Sequence, residues 1–214
     1  MRIRAVAFDM DGTLTKEESS WALLHDAFGA DPAKVEENRR LYEQGAISYL
    51  EWARLDIALW GKGGKLPHIL DVIDALDKVE LADGARELFR ELRARGIATA
   101  IVTSGIDLLA ARVARELQAD LWIGNGLVVD EEGYLTGECI LRVDPLRKHM
   151  ALRMASSLLS VPLEEFAAVG DTRYDLSMMK EAGLKVAYRP KHPELEAEVD
   201  IVLEESLAEL LKHI

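Results

Sequence analysis

Two aspartates, Asp9 and Asp11, stand two residues apart directly behind the apolar run in AVAFDMDGTLT (residues 5–15). A turn at a strand end needs one Asp and a Gly, so a second charge at this spacing points to chemistry. Two further motifs hold the same kind of position. Thr103-Ser104-Gly105 follows the apolar run IATAIVT, and Gly170-Asp171-Thr172-Arg173-Tyr174-Asp175 follows FAAVG. Carboxylates crowded together stay ionised only beside a cation, because like charges a few ångströms apart raise one another's pKa. Oxygen-only donors with room for water favour Mg2+ over zinc. A calcium loop over residues 9–20 is excluded, since Leu14 stands where that loop needs Gly and Ser20 where it needs Glu. Taken singly, each motif has a plain structural reading. Ser104-Gly105 suits a helix cap and turn, GDTRYD suits a turn, and Lys148 suits a solvated helix surface. Together, each at the end of an apolar run, they describe a site.

The elements that must carry these residues are short. Apolar runs without alternation lie at 3–8, 97–103, 121–123, 166–170, 184–188 and 200–203, as expected for strands covered on both faces of a parallel sheet. Helical patterns lie between most of them. DGARELFRELRARG places Leu88, Phe89 and Leu92 on one stripe and stops at Gly96. IDLLAARVAREL and DPLRKHMALRMASSLL read the same way, the second with Asp144 as N-cap and Pro145 in the first helical position. This alternation predicts an open α/β sheet, whose ligands bind beyond the carboxyl ends of the strands. Residues 15–78 contain helical patterns and no convincing strand, so an all-helical insertion ending near Leu81 is expected. The predicted organisation is a core of residues 1–14 and 80–214 with an inserted helical cap at 15–79. GLVVDEEGYLTGECILR (126–142) predicts a β-hairpin turning at Gly133.

Composition narrows the function. With 26 Lys and Arg against 38 Asp and Glu in 214 residues, the net charge is −12, which argues against a nucleic-acid binder. An anionic substrate is repelled at long range, so a phosphate site needs local cations or a metal. No apolar run approaches the roughly eighteen residues of a membrane helix. Cys139 is the one cysteine, and the N-terminus lacks a signal-peptide cleavage site, so a cytoplasmic location is expected. Asn and Gln are confined to Asn38, Asn125, Gln44 and Gln118 beside abundant Glu, Arg and Ala, a balance common in proteins from hot environments. The pattern does not choose between monomer and homodimer.

The motif set resembles the haloacid dehalogenase-like hydrolase superfamily, whose hallmarks are D-x-D-G-T, a Ser or Thr after the second strand, a Lys, and an acidic GD-x-x-x-D motif. Here they read DMDGT (Asp9 to Thr13), VTSG (Ser104), Lys148 in DPLRKHM, and GDTRYD (Asp171, Asp175). The resemblance spans the whole chain and is strongest to the phosphoserine-phosphatase-like branch, which carries a helical cap between the first motif and the second strand. It implies a Rossmann-like three-layer α/β/α core with a parallel sheet. It also implies a Mg2+-dependent phosphatase acting on a small phosphorylated metabolite through an aspartyl-phosphate. In that scheme Asp9 attacks phosphorus and Asp11 is the acid and base. The metal is held by the Asp9 carboxylate, the Asp11 carbonyl and Asp171. Ser104, Gly105, Lys148 and Gly12 meet the phosphate, with Asp175 and Thr13 supporting them. An acid at Asp11 sets the chain apart from dehalogenases, which lack one, and from ion-pumping ATPases, which carry Thr. A phosphomutase, or a phosphate- or metal-binding module without turnover, remains an alternative.

For the substrate, the branch places an acidic residue shortly after the first motif against an amino group, and Glu18 stands there. It uses a cap arginine for a carboxylate, whereas Asp56 aligns at that place with Arg54 two residues earlier. An Asp there repels a carboxylate. Tyr174 replaces the usual Asn of the acidic motif, and Arg173 beside it is a candidate substrate contact. Trp21, His25 and Phe28 share a helix face and are expected to pack the cap.

Overall fold

The computed structural model describes residues 2–214. Strand β1 (Ala5–Phe8) shows why the sheet is covered twice: Val6 and Phe8 face one layer, Ala5 and Ala7 the other, and all four are fully buried. Four helices then follow, α1 (Ser20–Phe28), α2 (Pro32–Glu43), α3 (Tyr49–Ala58) and α4 (Ile69–Leu76), before α5 (Ala85–Ala94) and β2 (Ala98–Ile106). The rest of the chain is α6 (Asp107–Leu117), β3 (Leu121–Val129), β4 (Leu135–Ile140), α7 (Lys148–Leu159), β5 (Phe166–Gly170), α8 (Leu176–Met179), β6 (Leu184–Tyr188), α9 (Pro193–Glu196) and β7 (Ile201–Leu203). The fold is a Rossmann-like α/β core with a helical cap inserted after the first strand. An antiparallel bridge between Thr15 and Leu81 marks where the chain leaves and rejoins the core.

Strand order is β4-β3-β2-β1-β5-β6-β7, parallel throughout except for β4. The chain builds outward from β1 through β2 and β3, then returns to build β5, β6 and β7 on the other side. The order reverses at β1, and such a switch point leaves a crevice beyond the carboxyl ends. Asp9, Ser104 and Asp171 come from the three strands that meet there. The two faces differ in bulk. Val6, Phe8, Ile101 and Val169 pack with α5 and α6, whereas the alanines Ala5, Ala7, Ala100 and Ala168 meet Ala151, Leu152 and Ala155 of α7. Short side chains on both sides let α7 lie close to the sheet, with its first residue, Lys148, at the crevice.

Two strands run further than their apolar runs suggest. β2 continues through Ser104 and Gly105 to Ile106, and α6 starts only at Asp107, so Ser104 is extended backbone and no helix cap. β3 is one strand whose first part pairs parallel with β2 and whose second part pairs antiparallel with β4. Gly124 and Gly126 interrupt its apolar pattern, which disguises that continuity. The hairpin itself turns at Asp130–Gly133 as expected, the Gly133 N–H donating to the Asp130 carbonyl (3.1 Å). Lys148 opens α7 behind a short 3-10 turn, Pro145–Arg147, capped by Asp144. Among the described residues no helix is long and apolar enough to cross a membrane.

Candidate active site

Asp9 is the first residue beyond β1, and its N–H still donates to the Val169 carbonyl of β5 (2.9 Å). The chain then turns: the Met10 carbonyl accepts from the N–H groups of Thr13, Leu14 and Thr15 (3.2, 2.9 and 3.1 Å). Beyond β1, Asp11 lines the same crevice as Asp9. The Ser20 hydroxyl donates to Asp11 Oδ2 (2.7 Å) and accepts from the Ile106 N–H (3.2 Å). Asp11 Oδ1 is buried with no donor. Gly12 sits at φ +75°, and a Cβ there would lie 2.3 Å from Asp171 Oδ2. Glycine is therefore required twice over, for the left-handed backbone and for the approach of a carboxylate.

Lys148 is 2% exposed and bridges two acids, its Nζ 2.6 Å from Asp9 Oδ1 and 2.7 Å from Asp175 Oδ1. A helix N-terminus disfavours a cation; the two carboxylates override that preference and hold the ammonium in its charged form. Asp175 is fully engaged, since its other oxygen accepts from the N–H groups of Asp171 (3.2 Å) and Thr172 (3.0 Å) and from the Thr172 hydroxyl (3.2 Å). Replacing Lys148 by Met strands Asp9 and Asp175 as buried like charges. Breaking a buried pair in this way costs about 3–5 kcal/mol, and Lys148→Met is expected to lose that much in urea unfolding of the metal-free protein. A loss under about 1 kcal/mol, the size of a surface pair, would mean that the bridge is not formed in solution.

Asp171 completes the floor. Its Oδ1 accepts from the Thr13 hydroxyl (3.2 Å), and its Oδ2 lies 2.9 Å from Lys191 Nζ without a well-aligned hydrogen bond. Burial, and then the neighbouring Asp175 charge, push the Asp171 carboxyl up to about 6. Burial likewise raises Asp9, reinforced by Asp175 and opposed by Lys148. Burial also raises Asp11, opposed by its bond from Ser20.

These groups suit a hard divalent cation. Carboxylate oxygens of Asp9, Asp171 and Asp175 lie within 4.8 Å of one another, every donor is oxygen, and the buried Asp171 Oδ2 already faces a cation, Lys191 Nζ at 2.9 Å. Because Asp175 is committed to Lys148 and backbone N–H groups, the free valence lies on the Asp9 and Asp171 side. A pH dependence follows. The folded Asp171 holds its proton more tightly than its ordinary value of 3.8, so the metal-free protein loses this contribution to stability as pH rises through about 6. A divalent cation binds the ionised form. The increase in Tm on adding Mg2+ is therefore expected to be larger at about pH 7.5 than at about pH 4.5. Equal shifts at both would remove Asp171 from the ligand set.

Above the acids lies a cavity of about 320 Å3. Its floor includes Asp9, Asp11, Ser104, Gly105, Lys148 and Thr172, and α1 to α3 form its roof. Three donors, two from the roof and one from the core, converge on one atom. The Ser104 carbonyl accepts from Trp21 Nε1 of α1 (3.2 Å), the Tyr49 hydroxyl of α3 (2.9 Å) and Asn125 Nδ2 of β3 (2.9 Å).

Residues 3–183 match the family model described as haloacid dehalogenase-like hydrolase. The chain belongs to that family. Phosphoserine phosphatase of Methanocaldococcus jannaschii is 30% identical over 215 residues, covering 99% of this chain and 97% of that one. Phosphoserine phosphatase SerB2 of Mycobacterium tuberculosis is 32% identical over 191 residues, or 88% of this chain, which spans only 44% of that longer protein. A solved phospho-aspartyl intermediate analogue of phosphoserine phosphatase superimposes over the whole of both chains with a TM-score of 0.82 and 28% identity. Within the haloacid dehalogenase-like hydrolases, this chain falls in the phosphoserine-phosphatase-like branch.

The fold brings Asp9, Asp11, Thr13, Ser104, Lys148, Asp171 and Asp175 to one sheet edge. Gly12 and Gly105 are there too, but their N–H groups are already donated, to the Glu17 carbonyl (2.7 Å) and Thr103 Oγ1 (2.9 Å). They make room and offer a phosphate no free amide; a Cβ at Gly105 would lie 2.4 Å from Asp11 Oδ2. Glu18 lies at the exposed mouth, 3.5 Å from Lys191. Arg54 and Arg173 do not line the cavity. Arg54 pairs with Glu138 of β4 (2.5 Å), and Arg173 pairs with Glu43 of α2 (3.0 Å), which also accepts from the Tyr174 hydroxyl. Each guanidinium found a carboxylate across the cap–core seam that sequence spacing does not reveal. Sequence reasoning missed Ser20 and Lys191. Ser20 is hidden in a helix start that Ser19 caps, and Lys191 has no motif. Its place three residues beyond the end of β6, on the same sheet edge, was the available signal.

Proposed function

We propose that this haloacid dehalogenase-like hydrolase is a Mg2+-dependent phosphatase in which Asp9 is the nucleophile and Asp11 the acid and base, acting on a small phosphomonoester. One observation supports this reading above the others. Asp9 and Asp11 both line a cavity of metabolite size, one carboxylate pinned by a lysine and the other carrying an oxygen with no donor. Lys148 holds Asp9 Oδ1, which leaves Oδ2 to attack phosphorus. Burial raises Asp11 and so favours its protonated form; as the P–O bond breaks, the Asp11 proton passes to the ester oxygen, and the alcohol leaves. The product is an aspartyl-phosphate on Asp9. Asp11, now ionised, takes a proton from water as the water attacks phosphorus, which restores Asp9 and frees phosphate. The Ser104 hydroxyl and Lys148 meet the phosphoryl oxygens. Magnesium, held by the Asp9 carboxylate, the Asp11 carbonyl and Asp171, supplies neutralisation between Asp9 and an incoming dianion. Asp175 and Thr13 fix Lys148 and Asp171 in place. A cytoplasmic location accords with a lone, half-exposed Cys139.

The test is phosphate release from an aryl phosphate with Mg2+ and with EDTA. Release that needs the metal is expected. Release undiminished by EDTA removes the metal from the scheme, and no release from any simple phosphomonoester removes the phosphatase.

A further inference from the structure

The cavity wall has a charge of its own. Asp56 of α3 is 3% exposed and lies in the cavity wall. Its Oδ1 accepts from Asn38 Nδ2 (2.8 Å), and its Oδ2 faces His25 Nε2 at 3.3 Å. The histidine does not supply a positive charge. Its Nδ1 accepts the indole N–H of Trp60 (2.9 Å), and an indole nitrogen can only donate. Nδ1 must keep its lone pair, so the ring is the neutral tautomer that presents Nε2–H to Asp56. Among the described residues no Lys or Arg forms an ion pair with Asp56. A buried carboxylate held by neutral donors alone leaves an uncompensated negative charge in the wall.

The cations nearby are spent. The guanidinium that lines the cavity, Arg39, is held by Glu36 (2.6 and 2.9 Å) and by Glu43 (2.7 Å). Lys191 at the mouth is likewise taken, by Glu18 (3.5 Å) and Asp171 (2.9 Å). Much of the remaining roof is aromatic, from Trp21, Tyr49 and Trp52, and aromatic faces attract cations. The one donor there without an acceptor, the indole N–H of Trp52, is neutral and does not offset a carboxylate's charge.

We propose that Asp56 is a specificity-determining residue: the cavity selects phosphomonoesters of small amino alcohols, with an ammonium toward Asp56 and the aromatic roof, and rejects esters that carry a carboxylate. This rests on the phosphatase reading above and narrows its substrate.

The experiment compares kcat/KM for O-phosphoethanolamine, for propyl phosphate, its uncharged isostere, and for O-phosphoserine, with an aryl phosphate as a separate measure of catalysis. Phosphoethanolamine is expected to exceed both others by roughly tenfold or more. Asp56→Asn is expected to bring its ratio to propyl phosphate toward one. Phosphoserine equal to or better than phosphoethanolamine overturns the inference, and so does propyl phosphate on a par with it. A ratio unchanged by Asp56→Asn removes Asp56 from the role. If the aryl phosphate is not turned over, the phosphatase reading fails by itself. The same three esters are then ranked by calorimetric binding to the unreacting wild-type protein, and that ranking decides the inference.

Discussion

Asp9→Asn is expected to abolish phosphate release and to leave no phosphorylated protein after an acid quench. The amide is a far weaker nucleophile than a carboxylate, so the covalent step is lost. The substitution also disturbs the ground state. Lys148 loses one of the two acids that hold it, and either orientation of the new amide gives it a weaker acceptor or a facing donor. Phosphate assays and intact-protein mass after quench read the two effects separately. Turnover that survives Asp9→Asn, above the level of contaminating phosphatase, would falsify the assignment of the nucleophile.

Asp11→Asn is expected to slow turnover by about 10²–10⁴, the range of a lost general acid and base. The loss depends on the leaving group. An aryl oxide departs without much help from a proton, so an aryl ester suffers least in the first step and an alkyl ester most. Hydrolysis of the aspartyl-phosphate needs Asp11 as a base whichever alcohol has left. With an aryl substrate the variant is therefore expected to accumulate phosphoenzyme, visible as a burst of the phenol followed by a slow steady rate. Gly105 leaves little room beside Asp11 Oδ2, and Ser20 holds that oxygen, so the isosteric change tests the proton rather than the space. A variant that loses less than tenfold on an alkyl ester sinks this assignment.

Much of this was legible in the chain because the signals are local. Unbroken apolar runs set the parallel sheet, and a strand end followed by Asp-Met-Asp-Gly-Thr set half of the site. What was not legible depends on which side chains meet across the fold. The extension of β2 through Ser104 and Gly105 looked like a helix cap, because a Ser-Gly pair has that local preference and only the Asn125 and cap contacts show otherwise. Arg54 and Arg173 looked like substrate contacts because a cation near a phosphate site is the economical guess; Glu138 and Glu43, distant in sequence, claim them. Asp56 was visible as an acid in an unexpected place. That its charge is uncompensated emerges only from the Trp60–His25 hydrogen bond, which joins residues 35 apart in sequence.

The Ser104 carbonyl, which receives Trp21 and Tyr49 from the cap, ties that cap to the floor of the cavity. On the reading proposed above, the residue whose hydroxyl would face the phosphate also anchors the roof. Lifting the cap from the core would break those two hydrogen bonds, each worth about 1 kcal/mol net, while the ring contacts of Trp21 with Trp60 and of Tyr49 with Trp52 lie within the cap and would travel with it. On the phosphatase reading proposed above, a ligand that holds Ser104 in place would also hold the cap down, which couples occupancy of the floor to the position of the roof.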